Sequence, residues 1–458
     1  MPKRSSFKNR FSFYLLAIGS ACGLGNLWRF PYIVGENGGG AFLLIYVLLS
    51  LTVGLTLLIS ELMIGHSTGG SILAASKKVT ACEKKPFYLL GWLSLLISSL
   101  MLAYYSVICG WVLHYLTQFI MSLLQPEPAA YLSKMSVNIL QHNGWLQFML
   151  ASVHLLITVI IVVKGFEEGV ERWVSYLLPV FGILVVGLLI GSISLETTPD
   201  VLRFLFYPDF SKLNWNSLAH ALGHVFFTLS LGFGTMVTFG SYLKNEEHLP
   251  TIGFRVTLVD TLISVVSVLL LFPIAFTSSK QPLTDPSLLF EVLPRFLSTY
   301  KGGVLFGLIF FLCLWLAALN ASVGLLETIT ANLVESRPDL KRSKSAIISG
   351  GIILIVAIFP SFSSTLFSDF KINGHSLIDF FDTFIINGLL PLAGLGMVVL
   401  ALKAVSEKTR FQLFKNERSL TSQAMYSHWS FVLKWVIPSV ILIGLALQLF
   451  GFWLRSKT

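Results

Sequence analysis

Eleven stretches of this chain are apolar for about the length a helix needs to cross a bilayer: 12–36, 41–66, 87–124, 145–163, 168–192, 217–243, 248–277, 302–334, 345–360, 376–402 and 429–453. A spanning helix takes roughly 20 apolar residues. In hydrocarbon every backbone N–H and C=O must be satisfied within the protein, and long runs of this kind satisfy theirs as helices. Charged residues are 12% of the chain against 54% hydrophobic, and mean hydropathy is +0.77, values outside the range of an ordinary soluble domain. The expected fold is an all-α polytopic membrane protein of 11 transmembrane helices, one transmembrane domain over 1–458.

With the N-terminus in the cytoplasm, the connections before segments 3, 5, 7, 9 and 11 are internal, and they carry most of the Lys and Arg. That is the positive-inside pattern. It sets the expectation of a multi-pass protein of the cell inner (plasma) membrane, N-terminus cytoplasmic and C-terminus external. The net charge of +9 then reports topology and not nucleic-acid binding. The basic start at Lys3 and Arg4 runs into segment 1 without a small-residue cleavage site, so the first helix is expected to stay. Cys22, Cys82, Cys109 and Cys313 show no metal spacing and read as small apolar residues.

Segment 1 is apolar but carries Gly19, Gly23, Gly25 and Asn26 in its middle. Each glycine costs a helix interior roughly 1 kcal/mol relative to alanine, so the stretch reads as an unwound binding segment. Free amides around Gly23, Leu24 and Gly25 suit an anion. Carbonyls at Gly19, Ala21 and Cys22 suit a small hard cation. Segment 6 repeats the pattern with Thr228, Ser230, Gly232 and Gly234 among Phe226, Phe227 and Phe233. Two interrupted segments five helices apart point to a five-plus-five inverted repeat with a site at its interface. The first repeat is about 12–192, the second about 217–402, and 429–453 is an extra helix.

Ionisable residues inside such segments are costly and mark function by default. Arg29 needs water or a carboxylate, with Asp379 and Asp382 as candidates. Asp260 is a lone carboxylate with His224 as a possible partner. Glu61 reads either as a hydrogen-bond partner for backbone freed by the break in segment 1 or as a transport residue. Asn320 offers a carbonyl oxygen in a stretch of small residues that permits close helix approach. Tyr104 and Tyr105 read as packing residues or as phenols facing a substrate carboxylate. Gly169 and Pro179 predict a kink or local unwinding of segment 5. Arg4, Phe7 and Arg10 read as a positive-inside anchor. The loop with Lys77, Lys78, Lys84 and Lys85 is expected to be solvated.

The run Gly23 to Pro31, the turn Glu36 to Phe42, segment 6 and the Gly169–Pro179 spacing together resemble the neurotransmitter:sodium symporters. The similarity is to the bacterial amino-acid members of the leucine-transporter type, over nearly the whole chain apart from a twelfth helix that some members have. It implies a sodium-coupled symporter that imports a neutral, hydrophobic or aromatic amino acid by alternating access. It also implies a substrate site of Ser20, Ala21, Gly23, Leu24, Gly25, Met101, Tyr105, Phe227, Thr228, Ser230, Phe233, Ala321 and Leu325. Gly23 stands where monoamine members carry an Asp, which favours a zwitterion.

The same resemblance implies one or two sodium ions. The first would lie at Ala21, Asn26, Thr228 and Asp260, with the substrate carboxylate completing it. The second would lie at Gly19, Cys22, Ala317 and Asn320. There the chain departs from the family, because 320 and 321 often carry hydroxyl or carboxylate groups and this chain has Asn320 and Ala321. Positions matching a chloride site are Tyr46, His224, Thr228 and Ser264. Asp260 stands where Asn is common, so its charge is expected to replace chloride and make transport chloride-independent, with His224 tuning it. The implied gates are Arg29 with Asp382 (Asp379 in reserve), aided by Tyr105 and Phe227, and Arg4 with Glu335, aided by Phe7 and Tyr242.

The partners expected are an amino acid and membrane lipid, with no nucleic acid. No nucleophile–base set or phosphate loop is present, so no enzyme is expected. A channel would need a repeated filter sequence. A non-transporting amino-acid sensor on the same fold is the alternative, favoured by the altered second sodium position alone.

Overall fold

The computed structural model describes residues 17–19, 23–164, 166–243, 248–279, 288–299, 302–372, 375–415 and 422–455. They are helical almost throughout; their one β-bridge pairs Ile372 with His375. Eight described helices are long and apolar enough to cross a membrane: Gly40–Thr68, Tyr88–Ser122, Gly144–Lys164, Leu249–Thr277, Gly303–Ser336, Arg342–Ser361, Leu377–Ala404 and Ser422–Phe450. Pro179–Ile193 and Thr198–Phe206, bent by 105° at their junction, make up to nine. These correspond to nine of the eleven apolar segments. The two that do not qualify are segments 1 and 6, whose helices are interrupted.

Central and peripheral helices separate by burial. The most apolar window of Tyr88–Ser122 is 78% buried within the protein, whereas that of Ser422–Phe450 is only 28% buried and turns Leu442, Ile443 and Leu449 outward. Gly303–Ser336 lies along both Tyr88–Ser122 and Gly144–Lys164, forming a wall beside the interrupted segments. On the other side, Gly40–Thr68 packs against the second half of segment 6, Thr235–Gly240. A side chain on Gly65 would collide with the Val237 carbonyl, so glycine here lets two backbones meet.

Two expectations change. Segment 5 stays helical as Phe166–Ile193 with Pro179 inside it, not unwound there, and a bend of 105° follows Ile193. A proline removes a single donor, and a long spanning helix absorbs that loss. The lysine-rich connection after segment 2 is a helix, Ile72–Glu83, and not a solvated loop. Ile72, Leu73, Ala75 and Val79 bury one face of it while Lys77 and Lys78 stay exposed.

Candidate functional site

The break in segment 6 has a local cause. Ser217–Thr228 ends where Ser230 (φ 54°), Gly232 (φ 81°) and Gly234 (φ 80°) take left-handed backbone, and the helix resumes at Thr235. Two glycines make such a path affordable. The amides of Leu229, Ser230 and Leu231 fold back on the carbonyls of Val225, Phe227 and Phe226. The next amide, Gly232 N, donates to Glu61 Oε1 at 2.7 Å, and Ser98 Oγ donates to the Phe233 carbonyl at 2.9 Å. Glu61 therefore serves the break in segment 6 and not the one in segment 1.

In segment 1, Ala17 to Gly19 are helical and Gly23 is a bend. The helix restarts through a π-helical turn, Gly25–Arg29, and continues as Phe30–Glu36. Such turns concentrate at functional positions because they widen the helix and re-aim its side chains. Ser20, Ala21 and Cys22, and the expected gate residues Arg4 and Phe7, lie outside the described residues.

The two interruptions face one cavity, lined by Gly23, Gly25, Tyr105, Phe227, Thr228, Ser230, Phe233, Ala321 and Leu325. Met101 and Leu24, also expected there, are fully buried but are not among the lining residues. The glycines allow a close approach. A Cβ on Gly25 would sit 3.0 Å from Phe227 Cε1 and 3.1 Å from Thr228 Cγ2, and one on Gly23 would sit 3.1 Å from the Tyr105 hydroxyl. Phe227 and Tyr105 meet edge to face, 6.2 Å apart, across the cavity's rim. The cavity thus has an aromatic and aliphatic wall opposite a wall of main chain.

Beside it lies a polar ring. Asn26 Nδ2 donates to Asp260 Oδ1 (2.8 Å), the Asp260 carbonyl (3.2 Å) and Ser264 Oγ (2.8 Å). Ser264 and Tyr46 hydroxyls lie 2.9 Å apart, Tyr46 reaches Asp260 Oδ2 at 3.5 Å, and Thr228 Oγ1 donates to the same oxygen at 3.1 Å. Ser267 Oγ holds the Asn26 carbonyl at 2.6 Å. Because the protein consumes the amide's protons, Asn26 Oδ1 is left buried without a partner. An acceptor orphaned next to a carboxylate and a hydroxyl is the arrangement a desolvated cation requires. The residues at the first sodium position therefore fit a cation.

His224 does not join this ring through its imidazole. Its Nδ1 accepts from Arg29 Nη1 at 3.4 Å, and its ring stacks on Phe30, while only its carbonyl meets Thr228 Oγ1 at 3.1 Å. The anticipated His224–Asp260 pairing is replaced by a contact with the arginine.

At one end of the cavity, Arg29 Nε donates to Asp382 Oδ1 at 2.9 Å and Nη2 to Oδ2 at 3.0 Å, with side-chain exposures of 2% and 14%. Tyr104, one residue from the cavity-lining tyrosine, donates to Asp382 at 2.9 Å, and Asn387 Oδ1 accepts from Arg29 at 3.4 Å. Asn387 belongs to another π-helical stretch, Thr383–Leu389, which begins directly after Asp382. Asp379 instead accepts from Ser376 at the start of its own helix.

At the other end, Glu335 accepts from the amide and hydroxyl of Ser71, and Asn332 Oδ1 from the Leu73 amide at 2.9 Å. Together they hold the first amides of Ile72–Glu83. Tyr242, anticipated beside Glu335, donates to Glu327 Oε1 at 3.0 Å; Arg342 binds the other Glu327 oxygen and reaches the Val162 carbonyl at 3.3 Å. Sequence reasoning missed Glu327, Arg342, Asn332 and Asn387, and it read Tyr104 as packing or substrate-facing, whereas Tyr104 donates to Asp382. A signal existed for Glu327, a carboxylate within an apolar segment, and was overlooked.

At the second sodium position, Ala317 and Asn320 are buried on Gly303–Ser336, Gly19 is buried at the end of the described turn, and Cys22 lies outside the described residues.

A helical membrane protein whose two broken spans meet at one cavity has the architecture of the inverted-repeat, leucine-transporter type. This chain belongs to the sodium:neurotransmitter symporter family, whose model matches residues 4–130 and 126–454. It is 31% identical over 442 residues to YhdH, an uncharacterised sodium-dependent transporter of Bacillus subtilis (96% of this chain, 97% of YhdH). It is 30% identical to an uncharacterised sodium-dependent transporter of Haemophilus influenzae (98% and 99%). Its fold matches the crystal structure of MhsT in complex with L-phenylalanine with a TM-score of 0.89 at 30% identity, covering 97% of this chain and 100% of that one. The protein is thus a multi-pass membrane transporter of a sodium-dependent family, and not an enzyme.

Proposed function

We propose that this protein imports a neutral amino acid with a hydrophobic or aromatic side chain, driven by sodium and without chloride. The observation that carries the reading is the cavity where the two broken spans meet, with the orphaned Asn26 carbonyl oxygen beside it. The substrate carboxylate faces the main chain of Gly23 to Gly25 and the Tyr105 hydroxyl. The side chain lies on Phe227, Phe233, Ala321 and Leu325. L-phenylalanine bound to the related MhsT supports that class of side chain. Sodium sits against Asn26 Oδ1, Thr228 and Asp260, next to the substrate carboxylate. Each ligand completes the other's site, and this couples the two.

Asp260 supplies the negative charge that chloride would otherwise bring; its carboxylate accepts from the Tyr46 and Thr228 hydroxyls, and Ser264 lies against Tyr46. The Arg29–Asp382 pair with Tyr105 and Phe227 closes the external side. Glu335 and Arg4 close the cytoplasmic side, and the plasma-membrane orientation places the N-terminus in the cytoplasm.

Uptake of labelled L-phenylalanine and L-leucine into proteoliposomes tests this. Accumulation that follows an imposed sodium gradient and persists in chloride-free buffer is expected. Binding without accumulation would mean a sensor, and equilibration without concentration would mean a channel. Collapse of uptake in chloride-free buffer would refute the role given to Asp260.

A further inference from the structure

On Gly303–Ser336, one residue before the cavity-lining Ala321, stands an amide that no described residue satisfies. Asn320 is 2% exposed, and neither Oδ1 nor Nδ2 has a hydrogen-bond partner among the described residues. A buried amide left open at both ends is rare in a folded protein and calls for a ligand. The two open ends restrict what that ligand is. Asn26 shows how an asparagine is prepared for a cation: the protein takes its N–H protons, and only the oxygen remains to face the ion. At Asn320 the N–H protons are untaken, so the group presents donors beside its acceptor. A cation next to it meets a carbonyl and, on the same planar group, positively polarised protons that no acceptor neutralises.

The side chains that follow it on the helix do not make up the deficit. Ala321 brings no side-chain oxygen. Ser322 has a hydroxyl, but it is committed elsewhere. Trp315 Nε1 donates to His154 Nδ1 at 3.1 Å, so the imidazole proton is on Nε2 and is donated to Ser322 Oγ at 2.8 Å. Ser322 passes its own proton to the Ala318 carbonyl at 3.2 Å. All four of these residues belong to the wall behind the cavity, and the relay is closed, with each donor matched to an acceptor.

We infer that this transporter moves one sodium ion per amino acid, and that the position beside Asn320 is served by a neutral donor–acceptor, a water molecule, in place of a second ion. A water accepts from the Nδ2 protons and donates to Oδ1, matching both open ends. The single ion is the one at Asn26, Thr228 and Asp260.

The inference rests on the symporter reading, and the test separates the two. In proteoliposomes loaded with L-phenylalanine, the sodium gradient that halts net flux is measured at a series of imposed membrane potentials, giving the ratio of sodium to amino acid. A ratio of one is expected, and the sodium dependence of uptake should have a Hill coefficient of one. A ratio of two overturns the inference while leaving the symporter intact. Absence of any sodium-driven flux instead removes the symporter reading beneath it. A second variant addresses cause: Asn320→Thr with Ala321→Ser places two hydroxyl oxygens at the position. It should raise the ratio toward two; a folded double variant that binds substrate and stays at one would refute the claim that these side chains set the stoichiometry.

Discussion

Two buried asparagines, Asn26 and Asn320, each stand next in sequence to a cavity-lining residue, Gly25 and Ala321, and differ in almost everything that matters. Around Asn26, segment 7 contributes Asp260, Ser264 and Ser267 within hydrogen-bond distance, and the amide is held in one orientation. Around Asn320, the adjacent residues are Leu319 and Ala321, and the one hydroxyl close in sequence is engaged with His154. A residue type does not make an ion site. The groups that fix its orientation do, because an amide carries a donor and an acceptor on one planar group and only its surroundings decide which is offered.

Four substitutions test that contrast, in decreasing order of effect. Asp260→Ala removes the acceptor that orients Asn26 and the ring's negative charge. Leaving buried partners unpaired costs about 1–3 kcal/mol each, so sodium-driven uptake should fall about 100-fold. A loss of less than threefold would break the contrast at its stronger end. Gly25→Ala puts a methyl 3.0 Å from Phe227 and 3.1 Å from Thr228. Overpacking of this kind costs about 1–3 kcal/mol, expected as a rise of roughly tenfold or more in the half-saturating amino-acid concentration. Unchanged affinity would show that the two broken spans separate further than the structure shows.

Ser264→Ala takes away one of the acceptors for Asn26 Nδ2 but leaves Asp260. A net hydrogen bond is worth about 1 kcal/mol, so the half-saturating sodium concentration should rise about fivefold with little change in amino-acid affinity at saturating sodium. An equal shift at saturating sodium would mean that the ring holds the fold and not the ion. The smallest effect on transport is expected of Asn320→Leu, which exchanges an unpartnered amide for an apolar group of similar size. Because the amide and its water leave together, thermal stability should change by less than about 1 kcal/mol, and sodium dependence should shift less than about twofold. A destabilised protein with weakened sodium dependence would place Asn320 on an equal footing with Asn26.

The ends of the cavity show where sequence reasoning reached its limit. Arg29 was legible as a buried charge in need of a carboxylate, and Asp382 was one of two candidates. Asp379, three residues away, was excluded only by its capping bond to Ser376. Glu61 was legible as needing backbone, but the broken segment it serves was the other one. His224 was assigned to Asp260, and its imidazole turned out to face Arg29. For Glu61 and His224 the residue's need was correct and the partner was not, because partners are chosen by which helix faces meet. Glu327 and Arg342 illustrate the same point from segment 8 and the connection after it.

What the sequence by itself determined is the set of spans and the two places where they break. Both follow from local properties: the solvation cost of backbone in hydrocarbon, and the conformational freedom of Gly23, Gly25, Gly232 and Gly234. What only the tertiary structure decided is which buried polar groups are satisfied. Asn26 and Asn320 read alike as asparagines in apolar segments. Their difference lies in residues more than two hundred positions away from Asn26, brought within 3 Å by packing, and in the lack of any equivalent around Asn320 among the described residues.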